Sequence, residues 1–458
     1  MNTTLMYIVG LVAFAIVIFL LIKKADVKLT LFAVGIILMM IAIANGTEVI
    51  EGSKNVFLDP FISVVNTFKG TLDRAGFIIL ILGGYTAYMS KIGANEVTIS
   101  TLTKPVKNIK SAYFLVPIVF LIGNFLSLVI PSASNLSIIL LATLYPVLIN
   151  SGMTNGTAAA VIATTATVMP TPLGSDNVAI AEALGMPVSD YVFNNHAKIS
   201  IPALLVMAVV HIFWQKIMDK RESTTDKEQV EGKEVKEIKG GFLYKLIYTF
   251  LPLLPILVLL VNFIIGFFTE NTIQLSVEVV SILSFIVAIF AELIRRRKVK
   301  EVMDDTGAFF KGMGDAFGTV VLLVSASVFV NGLKSIGLIK ELQSSMMNTQ
   351  ASGIILPLIL VGFTALIVLL SGSGTALTFA MVPLYVPLAT AAGISPLLLT
   401  LTVGLAGNIL RAVSPVSAVV NIVSGETKEK QINIVKRTSV PMLAGLITTI
   451  VLALILYN

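Results

Sequence analysis

The 458-residue chain is 56% hydrophobic and 13% charged, carries a formal net charge of +6 and contains no cysteine. Apolar runs of about twenty residues recur along it, the length that crosses a bilayer core, so it reads as an all-α polytopic membrane protein rather than a string of soluble domains. Without cysteine, disulfides, thiol catalysis and thiolate metal sites are excluded; the basic excess lies in loops without aromatic interleaving, so no nucleic-acid partner is expected.

The first apolar run, Leu5 to Ile22, has no basic residue before it and Lys23 and Lys24 after it, a pattern opposed to a cleavable signal peptide. Further crossings are expected at 29–45 and 75–90, the second preceded by "FKGTLD" at Phe68 to Asp73. Next comes an apolar stretch interrupted by "VIPSASNLS". It places Ser132, Ser134 and Asn135 where unpaired polar groups cost roughly 2–7 kcal/mol each. The flanking arms, Pro117 to Ile130 and Ser137 to Leu148, amount to about 18–21 Å of helix, too short for the roughly 30 Å apolar core. A helix that enters part way, turns at Pro131 to Asn135 and leaves on the same side is a re-entrant hairpin. The crossing at 157–184 is broken by "PTPLGSDN", Pro170 to Asn177, and a crossing at 198–217 completes the first half.

Asp219 to Gly241 mixes both charge signs without apolar periodicity and is expected to be a flexible cytoplasmic linker. Beyond it, crossings are expected at 245–267, 275–294 and 317–332. A second hairpin follows from Pro357 through "SGSGT", Ser371 to Thr375, and back along Ala376 to Thr390. A crossing at 397–424 is broken by "GNILRAVSPVS", Gly407 to Ser417, and the last lies at 438–457.

Several motifs recur about 240 residues apart and in the same order. "FKGTLD" returns as "FKGMGD" at Phe310 to Asp315, "LYPVL" at Leu144 as "LYVPL" at Leu384, and "SIP" at Ser200 as "SVP" at Ser439. The chain therefore divides into a first repeat at 1–218, the linker at 219–241 and a second repeat at 242–458. Each repeat has five crossings and one hairpin. Five is odd, so the second copy enters from the opposite side and the topology is inverted. Basic residues agree: the loops placed inside hold Lys23, Lys24, Lys28, Lys91, Lys104, Lys107, Lys110, Arg295 to Lys298, Lys428, Lys430, Lys436 and Arg437. Those placed outside hold only Lys54, Lys69, Arg74, Lys198, Lys334 and Lys340, which leaves both termini outside.

Paired hairpins and paired broken helices in corresponding positions point to a secondary-transporter binding site near the midplane. Helix segments starting at the breaks aim N–H groups and positive dipole ends inward, which suits an anionic solute, while fragment-end carbonyls can hold a cation. The candidate site residues from the tips are Ser132, Ser134, Asn135, Ser373, Gly374 and Thr375. Arg411 sits deep in an apolar crossing, where a charge costs roughly 2.5–3.5 kcal/mol on insertion scales. It either pairs with Asp176 as a structural ion pair or compensates a substrate carboxylate. Asp176 could carry a proton, bind a cation or cap its helix. Glu182 reads as solvated, His196 and His211 have no carboxylate partner nearby in sequence, and Trp214 reads as an interface anchor. No Walker loop or enzyme motif occurs.

"GGYTAYMSKIGAN" (Gly83 to Asn95), "SPVSAVV" (Ser414 to Val420) and "VKRTSVP" (Val435 to Pro441) make the chain resemble the DcuC-type anaerobic dicarboxylate carriers over nearly its whole length. The resemblance implies a carrier of succinate, fumarate, malate or similar dicarboxylates in a bacterial inner membrane, working by efflux or exchange. It also implies a homodimer with a scaffold domain and an elevator-like transport domain. The family's broken-helix pattern falls on Gly174, Ser175 and Asp176, which are expected to serve the coupling ion or proton, and on Asn408, Arg411, Ser414, Pro415 and Ser417, of which Asn408, Arg411, Ser414 and Ser417 are expected to bind substrate; its second tip falls on Gly372, Ser373 and Gly374. Thr375 stands where that pattern leads one to expect Asn. The expected partners are the small dicarboxylate and membrane lipid. No cofactor is expected beyond a coupling ion, sodium at the tips and breaks or a proton. A carrier of amino acids or acylated amino acids is the alternative within the class, and an anion channel the alternative outside it.

Overall fold

The structure is a computed structural model that describes residues 2–109, 111–222, 240–269, 273, 275–346 and 352–458. Among the described residues it is all-helical. The first half comprises α1 (Thr3–Ile22), α2 (Val27–Ala44), α3 (Asp59–Thr71), α4 (Phe77–Lys91), α5 (Ala94–Thr103), α6 (Ala112–Leu126), α7 (Ala133–Thr143), α8 (Tyr145–Asn150), α9 (Asn155–Ala163), α10 (Ser175–Leu184), α11 (Val188–Asp190) and α12 (Ala197–Glu222). The second comprises α13 (Phe242–Phe250), α14 (Leu254–Ile265), α15 (Val277–Arg296), α16 (Val299–Asp305), α17 (Gly307–Ser335), α18 (Leu338–Met346), α19 (Ser352–Ser371), α20 (Gly374–Ala392), α21 (Pro396–Leu410), α22 (Ala418–Thr427) and α23 (Gln431–Tyr457). Residues 223–239, the greater part of the segment read as a linker, lie outside the described residues.

The same order of elements occurs twice. In each half two crossing helices lead to a long helix, a short helix, a pair of arms meeting at a polar tip, a broken pair and a final long helix. Left-handed residues end equivalent helices in both: Gly93 and Gly337, Gly152 and Gly393, Gly185 and Lys428. The interior prolines of the last helices, Pro202 in α12 and Pro441 in α23, correspond as well.

Among the described residues, ten helical spans are long and apolar enough to cross a membrane, or up to eleven if a pair bent by 72° near residue 92 counts as one. Eight coincide with crossings expected from sequence. The remaining two are the arms α19 and α20, of 20 and 19 residues. These arms are longer than the sequence suggested, because the helix starts before Pro357, a residue its second turn accommodates. By contrast α6 and α7, with 15 and 11 residues, are as short as expected. The crossing expected at 157–184 is two fragments, α9 and α10, of 9 and 10 residues. The crossing expected at 75–90 belongs to a much longer helical stretch, since α3 runs into α4 through a π-helical turn at Leu72–Gly76. Lys69 and Arg74, assigned to an outside loop by sequence, are therefore helical, as is "FKGMGD" inside α17.

The packing separates wall from centre. On α23 the exposed apolar side chains Leu443, Ile447, Val451 and Ile455 form a stripe at four-residue spacing, and α15 carries Val279, Leu283, Ile286 and Phe290 in like fashion. Such stripes suit contact with lipid. Gly156 to Ala163 of α9 and Leu398 to Gly407 of α21 are instead buried throughout, as expected of central helices. The long helix α17 packs on α2 and α4 through small residues. A Cβ at Gly35 would lie 2.7 Å from the Val328 carbonyl oxygen, and one at Gly312 would lie 2.5 Å from that of Gly83. Close backbone approach through small residues is how membrane helices gain dispersion contact when lipid removes the hydrophobic drive.

Candidate functional site

The four interrupted elements meet inside the bundle, where α7 packs along α22 and α10 along α20. The first break begins earlier than its prolines suggest. After α9 the chain leaves the helix at Thr164 and re-enters at Ser175, and Ala166 takes a left-handed conformation at φ 56°. One side chain holds this irregular backbone in place. Asn124 of α6 accepts from the Thr167 N–H at 2.9 Å and the Thr167 hydroxyl at 2.8 Å, while its amide donates to the carbonyls of Phe120 at 2.9 Å and Thr164 at 3.3 Å. Nearby, the Thr164 hydroxyl and His211 Nε2 share a hydrogen bond of 3.1 Å. The Thr167 N–H and the Thr164 carbonyl, freed by the break, are thus satisfied by protein, the condition for irregular backbone at membrane depth.

The re-entry at α10 is built on Gly174, Ser175 and Asp176. Asp176 accepts from the Asn177 N–H at 3.0 Å through one oxygen and from Asn408 Nδ2 at 2.9 Å through the other. Asn177 in turn donates to the Thr171 carbonyl at 2.9 Å. Asp176, in the first turn of α10, therefore holds one N–H of that turn and ties the first break to the second. Arg411 makes the other tie: its Nη2 donates to the Ala166 carbonyl. No ion pair joins Arg411 and Asp176 within 4 Å, so the pairing considered from sequence is not a direct contact, and the two opposite charges interact only at longer range. A backbone carbonyl with left-handed geometry takes the guanidinium instead.

The second break is supported by the second tip. Gly372 has φ +76°, and a Cβ there would lie 2.6 Å from the Val416 carbonyl oxygen. The backbone of Gly374 is pressed still closer to Gly407, whose carbonyl oxygen a Cβ there would approach to 2.0 Å. Ser414 donates to the Leu369 carbonyl at 3.1 Å, and the Ser417 hydroxyl caps α22 by accepting from the Val420 N–H at 3.3 Å. Both hydroxyls, read from sequence as substrate ligands, are buried and engaged inside the protein. At the first tip Ser132 caps α7 through the Asn135 N–H at 3.4 Å, and Ser137 donates to the Ser134 carbonyl at 2.8 Å. Ser132, Asn135, Ser373 and Thr375 are exposed, while Ser134, Ser175, Asp176, Asn408 and Arg411 are half-buried. The arrangement offers four helix starts, exposed hydroxyl and amide groups, one guanidinium and one carboxylate. Among the described residues no group of three or more metal-ligating side chains occurs.

Sequence reasoning missed Asn124, whose place in an otherwise apolar arm was a visible signal. It also missed Arg437. Counted there as a loop residue, Arg437 lies inside α23 and is only 1% exposed, ion-paired with Asp219 at 2.8 Å and with Glu222. Its Nη1 also donates to Thr157 at 3.0 Å and Gln215 at 3.1 Å. Asp219 and Glu222, assigned to the linker, are the last turn of α12. Gln215 continues toward the centre through His211 at 3.3 Å, so one polar network runs from this ion pair to the first break.

Residues 5–458 match the family described as C4-dicarboxylate anaerobic carrier. The anaerobic C4-dicarboxylate transporter DcuC of Escherichia coli K12 is 34% identical over 456 residues, covering 98% of this chain and 96% of that protein. A probable anaerobic C4-dicarboxylate transporter DcuC of Vibrio cholerae is 35% identical over 440 residues, covering 95% and 93%. Among solved structures, the YdaH transporter of Alcanivorax borkumensis superposes with a TM-score of 0.59 at 16% identity, covering 93% of this chain and 97% of that one. MtrF of Neisseria gonorrhoeae, from a class of antimetabolite efflux pumps, superposes at 0.58 with 15% identity, covering 94% and 95%. At these identities the structural likeness speaks to fold alone.

Proposed function

We infer, from the premise that this chain belongs to the C4-dicarboxylate anaerobic carrier family, that it is a secondary active transporter of succinate, fumarate and malate working by exchange or efflux across a bacterial cytoplasmic membrane. It is a transporter and not an enzyme, as the family indicates. The observation that carries the substrate reading is the cross-braced pair of breaks, Arg411 on the Ala166 carbonyl and Asn408 on Asp176, beside two polar tips. Dianions suit such a place. Helix starts supply N–H groups and positive dipole ends, and a guanidinium supplies a forked donor.

In this reading Ser132, Ser134, Asn135, Ser373, Gly374 and Thr375 contact substrate from the tips, and Asn408 and Arg411 from the break. Ser414 and Ser417 hold the backbone that does so. Asp176, Ser175 and Gly174 serve the coupling ion, sodium or proton, because the one carboxylate at the centre stands there. The twofold order of elements supports two inverted repeats, 1–218 and 242–458, with re-entrant hairpins and both termini external. The short arms of α6 and α7 support re-entry most directly. An elevator-type motion of the hairpins and broken helices against a scaffold containing α2, α4 and α17, in a homodimer, is the mechanism that the family resemblance suggests.

The test uses single cysteines, which the native chain lacks, at Ser132, Asn135, Ser373 and Thr375. Succinate is expected to slow their modification at both tips, and glutamate is not. Equal modification with and without succinate at all four would remove the tips from the site, and protection by glutamate alone would favour the amino-acid carrier.

A further inference from the structure

Away from the tips, a cleft opens between the π-helical junction of α3 and α4, the end of α17 and the middle of α20. It has two lobes of about 370 and 420 Å³ that share Gly70, Thr71, Arg74, Ser327, Lys334 and Pro383. Each lobe falls in the lower part of the range typical of small-molecule sites. Two cations, Arg74 and Lys334, line both lobes. Neither has a carboxylate within 4 Å among the described residues. Glu182 of α10 lines one lobe without a contact ion pair to either, although its charge interacts with that of Arg74. The second lobe is polar, with Ser63 and Asn66 on α3 and Asn331 of α17 bonded to Thr67 at 3.2 Å.

Arg74 is held there by an unusual backbone. It sits within the π-helical turn at φ −109° and ψ −109°, and its Nε donates to the Gly70 carbonyl at 3.3 Å. Single π turns inside helices cluster at functional places. The recurring motif sharpens the point. In the first copy, "FKGTLD" followed by Arg74, the motif supplies Gly70, Thr71 and the cation to the cleft. In the second copy, "FKGMGD" is followed by Ala316, and Gly312 is consumed in the tight crossing of α17 with α4. Fold packing alone therefore accounts for the second copy and not for the first.

We propose that this cleft is a second, vestibular subsite for the dicarboxylate, where Arg74 and Lys334 each offer a cation to one carboxylate before the anion passes to the central tips. The choice of dianion rests on the transport reading above; the excess of cations rests on the cleft itself. The two cations outnumber Glu182, the carboxylate that lines the cleft and acts on Arg74 at longer range, and a cleft with an excess of one sign raises local anion concentration and arrival rate by roughly 10- to 1,000-fold. The cleft lies between α3, α4 and α17 on one side and helices that carry the site, α10 and α20, on the other. An anion bound there touches both sides.

The test places one cysteine at Ser327 in the otherwise cysteine-free chain and compares an anionic sulfonatoethyl methanethiosulfonate with its cationic trimethylammonium analogue. Rates are normalised to a free thiol. The anionic reagent is expected to react about tenfold faster or more. Arg74→Gln and Lys334→Gln each lower that ratio and together bring it near one. If Arg74→Gln fails to fold, Lys334→Gln alone decides, because that residue lies on an exposed helix end. Succinate is expected to slow the anionic reaction at least fivefold. Equal rates for the two reagents would overturn the cationic cleft. Anionic preference without succinate protection, in protein that exchanges succinate in liposomes, would overturn the subsite while leaving the transport reading intact. Absence of succinate exchange by the parent chain would overturn the transport reading and the dicarboxylate identity of the ligand together.

Discussion

Replacing Gly372 by Ala tests whether the second tip and the second break form one rigid body. Two costs add at this position. The left-handed backbone, φ +76°, costs an L-residue about 1–2 kcal/mol. The added Cβ would lie 2.6 Å from the Val416 carbonyl oxygen and 2.8 Å from Ser417 Cα, both backbone, and overpacking of that kind costs about 1–3 kcal/mol. The total is about 2–5 kcal/mol. Two controls separate the contributions. Gly393 has φ +65° but nothing within 4 Å, so Gly393→Ala should show the backbone cost alone, about 1–2 kcal/mol. Gly362, inside α19, has neither positive φ nor a neighbour within 4 Å, so Gly362→Ala should stabilise by about 0.5–1 kcal/mol. The assay is unfolding of the purified variants in mixed micelles, with succinate binding measured alongside. Because the displaced break carries Asn408 and Arg411, Gly372→Ala should also weaken binding tenfold or more. A Gly372→Ala variant no less stable than Gly393→Ala, and binding normally, would refute the account of the tip.

Arg437→Gln should destabilise by up to about 3–5 kcal/mol, since it leaves Asp219 without its cation and with only the hydroxyls of Tyr113, Thr154 and Thr157, and Asp219→Asn in the same chain should recover part of the loss on thermal unfolding. Arg411→Gln combined with Asp176→Asn should not restore succinate binding, because the two side chains do not pair; near-normal affinity in a folded double variant would revive the ion pair. Arg411→Lys keeps the charge but loses the forked donor, and should weaken binding about 30-fold or more in the same assay. Cysteine at Gly52, between α2 and α3, should react with an impermeant thiol reagent in intact cells, whereas cysteine at Lys298, between α15 and α16, should not. The opposite pattern would reverse the proposed topology.

The tips and breaks were legible because they are chemical anomalies: Ser, Asn, Gly and Pro inside apolar runs have few explanations in a membrane. The duplicated order was legible for a similar reason, as prolines and glycines recur at equivalent helix positions. What could not be read were the partners. Arg411 bonds a backbone carbonyl, and a carbonyl leaves no mark in sequence. Arg437 looked like a loop cation because it follows Lys436 at the edge of an apolar run. One further turn of α23 is enough to bury it against Asp219, itself one turn beyond the apolar part of α12. Arg74 was hidden differently. A charged motif near a predicted span end reads as a loop, whereas here a π turn lets the helix continue through it.

Counterflow in proteoliposomes tests the central claim most directly. Vesicles loaded with unlabelled succinate and diluted into trace labelled succinate should accumulate label transiently, with saturable initial rates and competition by fumarate and malate. Accumulation that is independent of internal succinate would contradict a carrier and indicate a channel, and counterflow driven by amino acids but not by dicarboxylates would contradict the substrate.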